Sequence, residues 1–229
     1  MSGPTAVDRV AIAAIIAAGA ATLGVTLDEA QLSRLVAYVE LVQRWQHVTN
    51  LTGATDPRRF AVEHVVDCLA LVPYIGREHV VDVGSGAGLP GIVLAVACPD
   101  SHLTLVEPRA RRARFLTQAR IELALDNVDV RHARVEDVEI APPCDIVVSR
   151  ALGSLVDFLA ATVHLAGPTT RVIAMKGVLD RVDLAAAEAC GGPATIVALE
   201  VPGRVARHLV VFHPATGPGR PAGAARDVP

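Results

Sequence analysis

The residues best equipped for chemistry lie in the segment Asp82-Val83-Gly84-Ser85-Gly86-Ala87-Gly88-Leu89-Pro90-Gly91, which closes a short apolar run and leads into a helical pattern. Glycines at this spacing let the backbone turn tightly and approach a ligand closely, while N–H groups at the start of the helix point toward it. Such a loop suits a nucleotide-like ligand. The stretch from Gly86 to Gly91 also satisfies the GxGxxG pattern of dinucleotide-binding folds, and Glu107 follows about 20 residues on, where a ribose-binding acid is expected.

Two features favour S-adenosylmethionine over a nicotinamide dinucleotide. Asp82 ends the first strand, and a carboxylate there attracts a cationic α-amino group but repels a pyrophosphate. The strands and helices also use up the chain, leaving nothing for the substrate domain that most dehydrogenases carry. The expected cofactor contacts are Asp82, Gly84, Gly86, Gly88 and Leu89 in the loop, with Glu107 at the end of the second strand accepting from both ribose hydroxyls. A surface helix cap is the other reading of Glu107. After the third strand, Val135 is expected against the adenine ring and the Val135–Glu136 backbone at its polar edge; an ordinary helix start reads the same way.

The methyl acceptor is narrowed by absences. Methylation of exocyclic amines goes with an Asn/Asp-Pro-Pro-aromatic turn after the fourth strand, where this chain reads Ser149-Arg150-Ala151. Carbon-5 methylation of pyrimidines needs a nucleophilic cysteine, but Cys144 precedes the fourth strand, at the far end of the sheet from the loop. An acceptor with its own lone pair remains the simplest case. Guanine N7 carries no proton, so its attack on a sulfonium methyl requires positioning and no general base.

Arg150, at the carboxyl end of the fourth strand, is the best-placed side chain. A bidentate contact to guanine O6 and N7 would occupy the attacking lone pair, so it is expected to hold the cofactor carboxylate or a substrate phosphate. A salt bridge to Asp145 or a neighbour is the alternative. Lys176, the one lysine among 21 basic residues, and His64 are the next candidates for catalysis, although a histidine in an amphipathic helix is commonly a packing residue. Arg112 and Arg114, clustered with Arg109 and Arg111, and Arg207 are candidate substrate contacts; a solvated helix face explains the cluster about as well.

The elements that must position these residues are legible in the hydrophobic pattern. Thr26 and Glu29 have capping-box spacing ahead of a helix reaching Trp45, and Asp56-Pro57 opens another that runs through His64 and Asp67. An alanine-rich run, Val10 to Leu23, reads as a buried N-terminal helix; it is too short to span a membrane and lacks the basic start of a secretory signal. From His79 onward, short apolar runs at 80–83, 103–106, 128–130, 145–149 and 171–175 alternate with helices from Leu89, Arg109, Leu152 and Asp180. Strands near 194–200 and 207–212, with no helix between them, make the far edge antiparallel. The pattern is that of an α/β chain with a mainly parallel, seven-stranded, Rossmann-like sheet. It divides into a helical cap at 1–75, a catalytic domain at 76–213 and a disordered tail at 214–229.

Composition fits this outline. The 229 residues are 52% hydrophobic, and a net charge of −3 confines any nucleic-acid footprint to a local patch. With 3% aromatic residues, a broad base-stacking platform is excluded. The four cysteines form no CxxC pair, so neither a zinc or iron–sulfur site nor a disulfide framework is expected.

Taken in order, Asn50-Leu51-Thr52, His64 through Cys68, the Asp82–Gly91 loop, Arg112-Ala113-Arg114-Phe115-Leu116, Ser149-Arg150-Ala151, Lys176-Gly177 and Arg207-His208-Leu209-Val210-Val211 resemble the RsmG (GidB) methyltransferases over about residues 40 to 212. The resemblance implies the class I methyltransferase fold with an N-terminal helical cap. It further implies S-adenosylmethionine-dependent N7 methylation of a guanine in 16S ribosomal RNA, by a cytoplasmic monomer acting on that RNA or the small subunit. It suggests cofactor contacts at Gly84, Leu89, Val135-Glu136 and Arg150. Glu63 stands where the family commonly has a basic residue, and Glu107 where it often has Asp. A small-molecule methyltransferase on the same scaffold is the competing expectation.

Overall fold

The structure, a computed structural model, describes residues 6–46, 51–53, 56–150 and 153–213; Asn50, Ala151, Leu152 and the segment from Pro214 onward lie outside them. Seven strands, β1 (His79–Val83), β2 (His102–Val106), β3 (Val128–Arg131), β4 (Cys144–Ser149), β5 (Ala166–Lys176), β6 (Ala194–Leu199) and β7 (Arg207–Phe212), form one sheet. Their order is β3-β2-β1-β4-β5-β7-β6. The first five pair in parallel, whereas β7 runs antiparallel to both β5 and β6. Chain order reverses direction between β1 and β4, which opens a crevice at the carboxyl ends of these two strands. Valine-rich runs make β1 and β4 because both faces of a parallel sheet are covered, so every core position rewards a β-branched apolar residue.

Helices α5 (Gly91–Ala97), α6 (Ala110–Glu122), α7 (Leu155–Thr162) and α8 (Arg181–Gly191) cover the sheet. Ahead of them come α1 (Ala6–Thr22), α2 (Glu29–Gln46), the short α3 (Pro57–Phe60), a π-helical stretch (Ala61–Val66) and α4 (Asp67–Leu69). One apolar cluster joins Ile12, Ile16, Leu35 and Val39 of the N-terminal helices to Ile92, Leu105 and Phe115, so the helical segment and the sheet share a core.

Several local expectations shift. The capping box of α2 is formed by Asp28 and Gln31, not Thr26 and Glu29: the Gln31 amide N–H donates to Asp28 Oδ1 at 2.7 Å, and the Asp28 N–H donates to Gln31 Oε1 at 2.9 Å. The Gln31 side-chain amide also donates to the Val96 and Ala97 carbonyls at the end of α5, a tertiary bond that local spacing does not announce. Helix α1 buries one face only, with Ile12 and Ile16 sealed and Val10 71% exposed. The chain past Pro57 is capped as expected, Asp56 Oδ1 accepting from the Arg58 and Arg59 amides, but it widens into the π-helical stretch that carries His64. Helix α7 starts at Leu155, where the Ser154 hydroxyl accepts from the Asp157 amide. Strand β5 extends back to Ala166 because the Thr170 hydroxyl donates to the Cys144 carbonyl at 2.6 Å. Among the described residues no helix is long and apolar enough to cross a membrane.

Candidate active site

The turn after β1 is shaped almost entirely by its own amides. Gly84 and Ser85 donate to the Val106 carbonyl, Gly88 and Leu89 to the Ser85 carbonyl, Gly86 to Glu107 Oε2 at 2.9 Å and Gly91 to Asp82 Oδ2 at 3.0 Å. Gly84, Gly86 and Gly88 take φ of +71°, +56° and +87°, a region that costs other residues strain. At Gly91 the reason is space instead: a Cβ there would meet Leu105 Cδ2 at 2.1 Å and Asp82 Oδ2 at 2.7 Å. Strand β4 is tied to the turn by the Ser149 hydroxyl, which donates to the Val83 carbonyl at 2.9 Å.

Asp82 is fully buried beneath the loop, and burial pushes its carboxyl up to about 7 against the opposing pull of the Gly91 N–H; its Oδ1 has no hydrogen-bond partner. Both Glu107 oxygens are engaged, Oε1 accepting from the Arg109 amide at 2.9 Å. With these amides spent on the turn and the Glu107 carboxylate beside it, the loop is poorly equipped to neutralise a pyrophosphate and well suited to a ligand bearing positive charge. The residues present therefore fit S-adenosylmethionine better than a dinucleotide.

Over the loop lies a cavity of about 400 Å³, lined by Gly84, Gly86, Leu89 and Arg112 on one side and by His64, Asp67, Arg150, Lys176 and Arg207 on the other. Three distant segments meet at Asp67, whose side chain is 3% exposed. Its Oδ2 accepts from Arg150 Nε at 3.1 Å, and its Oδ1 faces Arg207 Nε at 2.7 Å, an ion pair without hydrogen-bond alignment. Arg150 Nη2 reaches onward to the Glu63 carbonyl at 3.0 Å and His64 Nδ1 at 2.7 Å. Burial first, and the Arg150 charge second, lower the His64 imidazole to about 4. Phe60 meets the imidazole edge-on, ring centroids 5.1 Å apart. Lys176 Nζ donates to the Gly153 carbonyl at 2.9 Å. Gly177 leaves room for Arg207, whose Nη1 would lie 3.0 Å from a Cβ at that position.

Of the residues expected at the site, His64, Gly84, Gly86, Leu89, Arg112, Arg150, Lys176 and Arg207 converge on the cavity. Asp82 and Gly88 lie beneath it as supports, a Cβ at Gly88 being 2.4 Å from Ile92 Cγ1. Glu107, Val135 and Glu136 follow the carboxyl edge of β2 and β3 outside the cavity lining; Val135 is buried, its carbonyl 3.0 Å from His164 Nε2, and Glu136 pairs with Arg134 at 3.5 Å. Arg114 is exposed on α6. The salt bridge of Arg150 runs to Asp67, while Asp145 accepts from the His79 amide. Cys144 is buried, and desolvation holds its thiol up at about 11, far from a nucleophilic thiolate. Glu63 is flanked by Arg59 at 3.0 Å and Arg204 at 3.7 Å, so two arginines bring positive charge to this rim.

Two contributors escape sequence reasoning. Asp67 is one acid among 24, and nothing in its neighbours marks it as a bridge between arginines far along the chain. Tyr38 of α2, fully buried, donates its hydroxyl proton to the Ala87 carbonyl in the loop at 2.7 Å, and burial lifts its pKa well above the usual phenol range. Its only advance signal is a phenol on an apolar helix face, which requires a partner when buried.

Comparison with known proteins adds an independent line. Residues 31–210 match the family model described as rRNA small subunit methyltransferase G. A protein named ribosomal RNA small subunit methyltransferase G from Escherichia fergusonii is 41% identical over 83% of this chain and 93% of its own length. One of the same name from Nitrosospira multiformis is 42% identical over 86% of this chain and 95% of its own. Among solved structures, a putative O-methyltransferase from Klebsiella pneumoniae superposes with a TM-score of 0.55 at 14% identity, covering 78% of this chain and 90% of its own. A SAM-dependent methyltransferase from Aquifex aeolicus reaches 0.53 at 15% identity, covering 69% and 93%. These two likenesses bear on the fold alone.

Proposed function

Because this chain belongs to the rRNA small subunit methyltransferase G family, we propose that it methylates N7 of a guanine in 16S ribosomal RNA, using S-adenosylmethionine and working in the cytoplasm as a monomer. The observation that carries this reading is the convergence of Arg150, His64, Lys176 and Arg207, drawn from four separate parts of the chain, on the cavity that the glycine loop floors.

The chemistry supplied by bound S-adenosylmethionine is an electrophilic methyl group on a sulfonium. The protein's own residues orient and shield. The Asp82–Gly91 turn forms the cradle, Glu107 and the Val135–Glu136 edge extend it toward the nucleoside, and the Glu107 carboxylate keeps the local potential favourable to a cation. Guanine N7 carries no proton, and none of the described cavity residues is needed to remove one; placing the lone pair toward the methyl group supplies the rate. Arg150 is already anchored by Asp67, and Lys176 by the Gly153 carbonyl with Asp183 4.0 Å away, which leaves Arg112 in the cavity wall and the exposed Arg114 as the more available phosphate contacts. The helical segment to residue 75 contributes His64 and Asp67, and so completes the site that the sheet begins.

Mass-spectrometric mapping of modified guanosines in small-subunit RNA tests the reading. Deletion of the gene is expected to remove one N7-methylguanosine, and the wild-type gene, but not Arg150→Ala, to restore it. An unchanged map in the deletion strain rejects the proposal.

A further inference from the structure

His64 combines two observations. Its Nδ1 lies 2.7 Å from Arg150 Nη2, and its ring lines the cavity. A guanidinium has donors only, so the contact requires an unprotonated Nδ1. The Glu63 carbonyl also faces the imidazole and favours a proton there, but it accepts from the same Arg150 nitrogen at 3.0 Å, and burial and the Arg150 charge outweigh it. Arg150 is in turn held by Asp67 at 3.1 Å, and Asp67 is pinned from its other side by Arg207. This chain of contacts fixes the imidazole's tautomer: the ring proton sits on Nε2. No hydrogen bond to Nε2 is formed by any described residue, and Nε2 is not among the buried polar atoms that lack partners, so it is an accessible donor on a residue that lines the cavity.

Building on the guanine-N7 reading above, we infer that His64 is a specificity-determining residue, whose Nε2–H donates to the O6 oxygen of the target guanine, and that Asp67 and Arg150 are the positioning residues that hold it in that form. The chemistry of the base edge explains why a fixed donor is useful. Beside N7, guanine presents an acceptor at O6, whereas adenine presents an amino donor at N6. A donor with no acceptor state accepts guanine and leaves adenine facing an unpaired N–H. Neutrality matters as well. Methylation at N7 makes the purine cationic, and an imidazolium beside it would oppose that charge. The groups facing the imidazole are Arg150 from the end of β4, Glu63 and Asp67 from its own helical segment, and the Phe60 ring; burial and Arg150 together hold the imidazole neutral above about pH 4.

Two readouts test this. In ¹⁵N-histidine-labelled protein, with the His64 signals assigned by their loss in His64→Gln, the Nε2–H tautomer is expected at pH 7 and no protonation down to pH 5. In Arg150→Gln the titration midpoint should move up toward the ordinary histidine value. An Nδ1–H tautomer in the wild type, or a midpoint near pH 6.5, overturns the inference. In the second readout, small subunits from the deletion strain are methylated in vitro and the product nucleosides identified by mass spectrometry. His64→Ala is expected to lower kcat/KM about 100-fold, and His64→Gln, which keeps an N–H donor, to stay within about tenfold of wild type. Calorimetry should find both variants binding S-adenosylmethionine as the wild type does. Wild-type turnover by His64→Ala, or equal loss in both variants, overturns the inference while N7-methylguanosine formation stands. A wild-type product other than N7-methylguanosine removes the O6 partner and overturns the inference together with the reading it rests on.

Discussion

Tyr38 Oη lies 2.7 Å from the Ala87 carbonyl oxygen, joining the middle of α2 to the crown of the glycine loop through a fully buried hydrogen bond. Together with the Gln31 amide on the Val96 and Ala97 carbonyls, it clamps both ends of the segment formed by the loop and α5. The N-terminal helices thus set the shape of the cradle directly, besides lending His64 and Asp67 to its rim.

Tyr38→Phe removes that donor and leaves a buried carbonyl unpaired. A loss of about 1–3 kcal/mol in denaturant unfolding is expected, with weaker S-adenosylmethionine binding in a calorimetric titration. Unchanged affinity would show that the loop keeps its shape without α2.

Gly91→Ala places a methyl group against Leu105 and the Asp82 carboxylate. The neighbours are packed strand residues with nowhere to retreat, so the variant should lose about 1–3 kcal/mol of stability and most of its cofactor affinity. A thermal melt paired with the same titration measures both. Gly53→Ala, where nothing lies within 4 Å of the added Cβ, serves as the silent control for stability.

Asp82 gives the fold a pH signature. Burial raises its folded pKa to about 7, while an unfolded aspartate titrates near 3.9. Between these values the native state keeps a proton that the unfolded chain has released, so the unfolded state binds fewer protons and stability must fall as pH rises. The fall begins near pH 4 and levels off above about pH 7. Subtracting the stability–pH profile of Asp82→Asn from that of the wild type should leave this slope; a flat difference would mean that the carboxylate is ionised when folded.

Asp67→Ala strands two arginines in a largely dry site. Removing one partner of buried ion pairs costs about 3–5 kcal/mol, and methyl transfer should fail along with it. Asp67→Asn, which keeps an acceptor oxygen for Arg150 Nε, should recover part of the stability. Chemical denaturation of both variants separates lost charge from lost hydrogen bonding.

Much of this molecule is written locally. The period-2 and period-3.6 patterns, the Asp56-Pro57 cap and the glycine loop each depend on residues a few positions apart, so the chain alone announces the sheet, its antiparallel edge and the loop that floors the cavity. The finer local choices fail where a distant partner intervenes: Asp28 and Gln31 cap α2 in place of Thr26 and Glu29, and Gln31 also reaches α5. The site's electrostatics are almost wholly of that second kind. Asp67 meets Arg150 across 83 positions and Tyr38 meets Ala87 across 49, and no neighbouring residue encodes either meeting. Burial did the rest, since the dry surroundings that lower His64, raise Asp82 and silence Cys144 exist only once the helices and the sheet have closed over them.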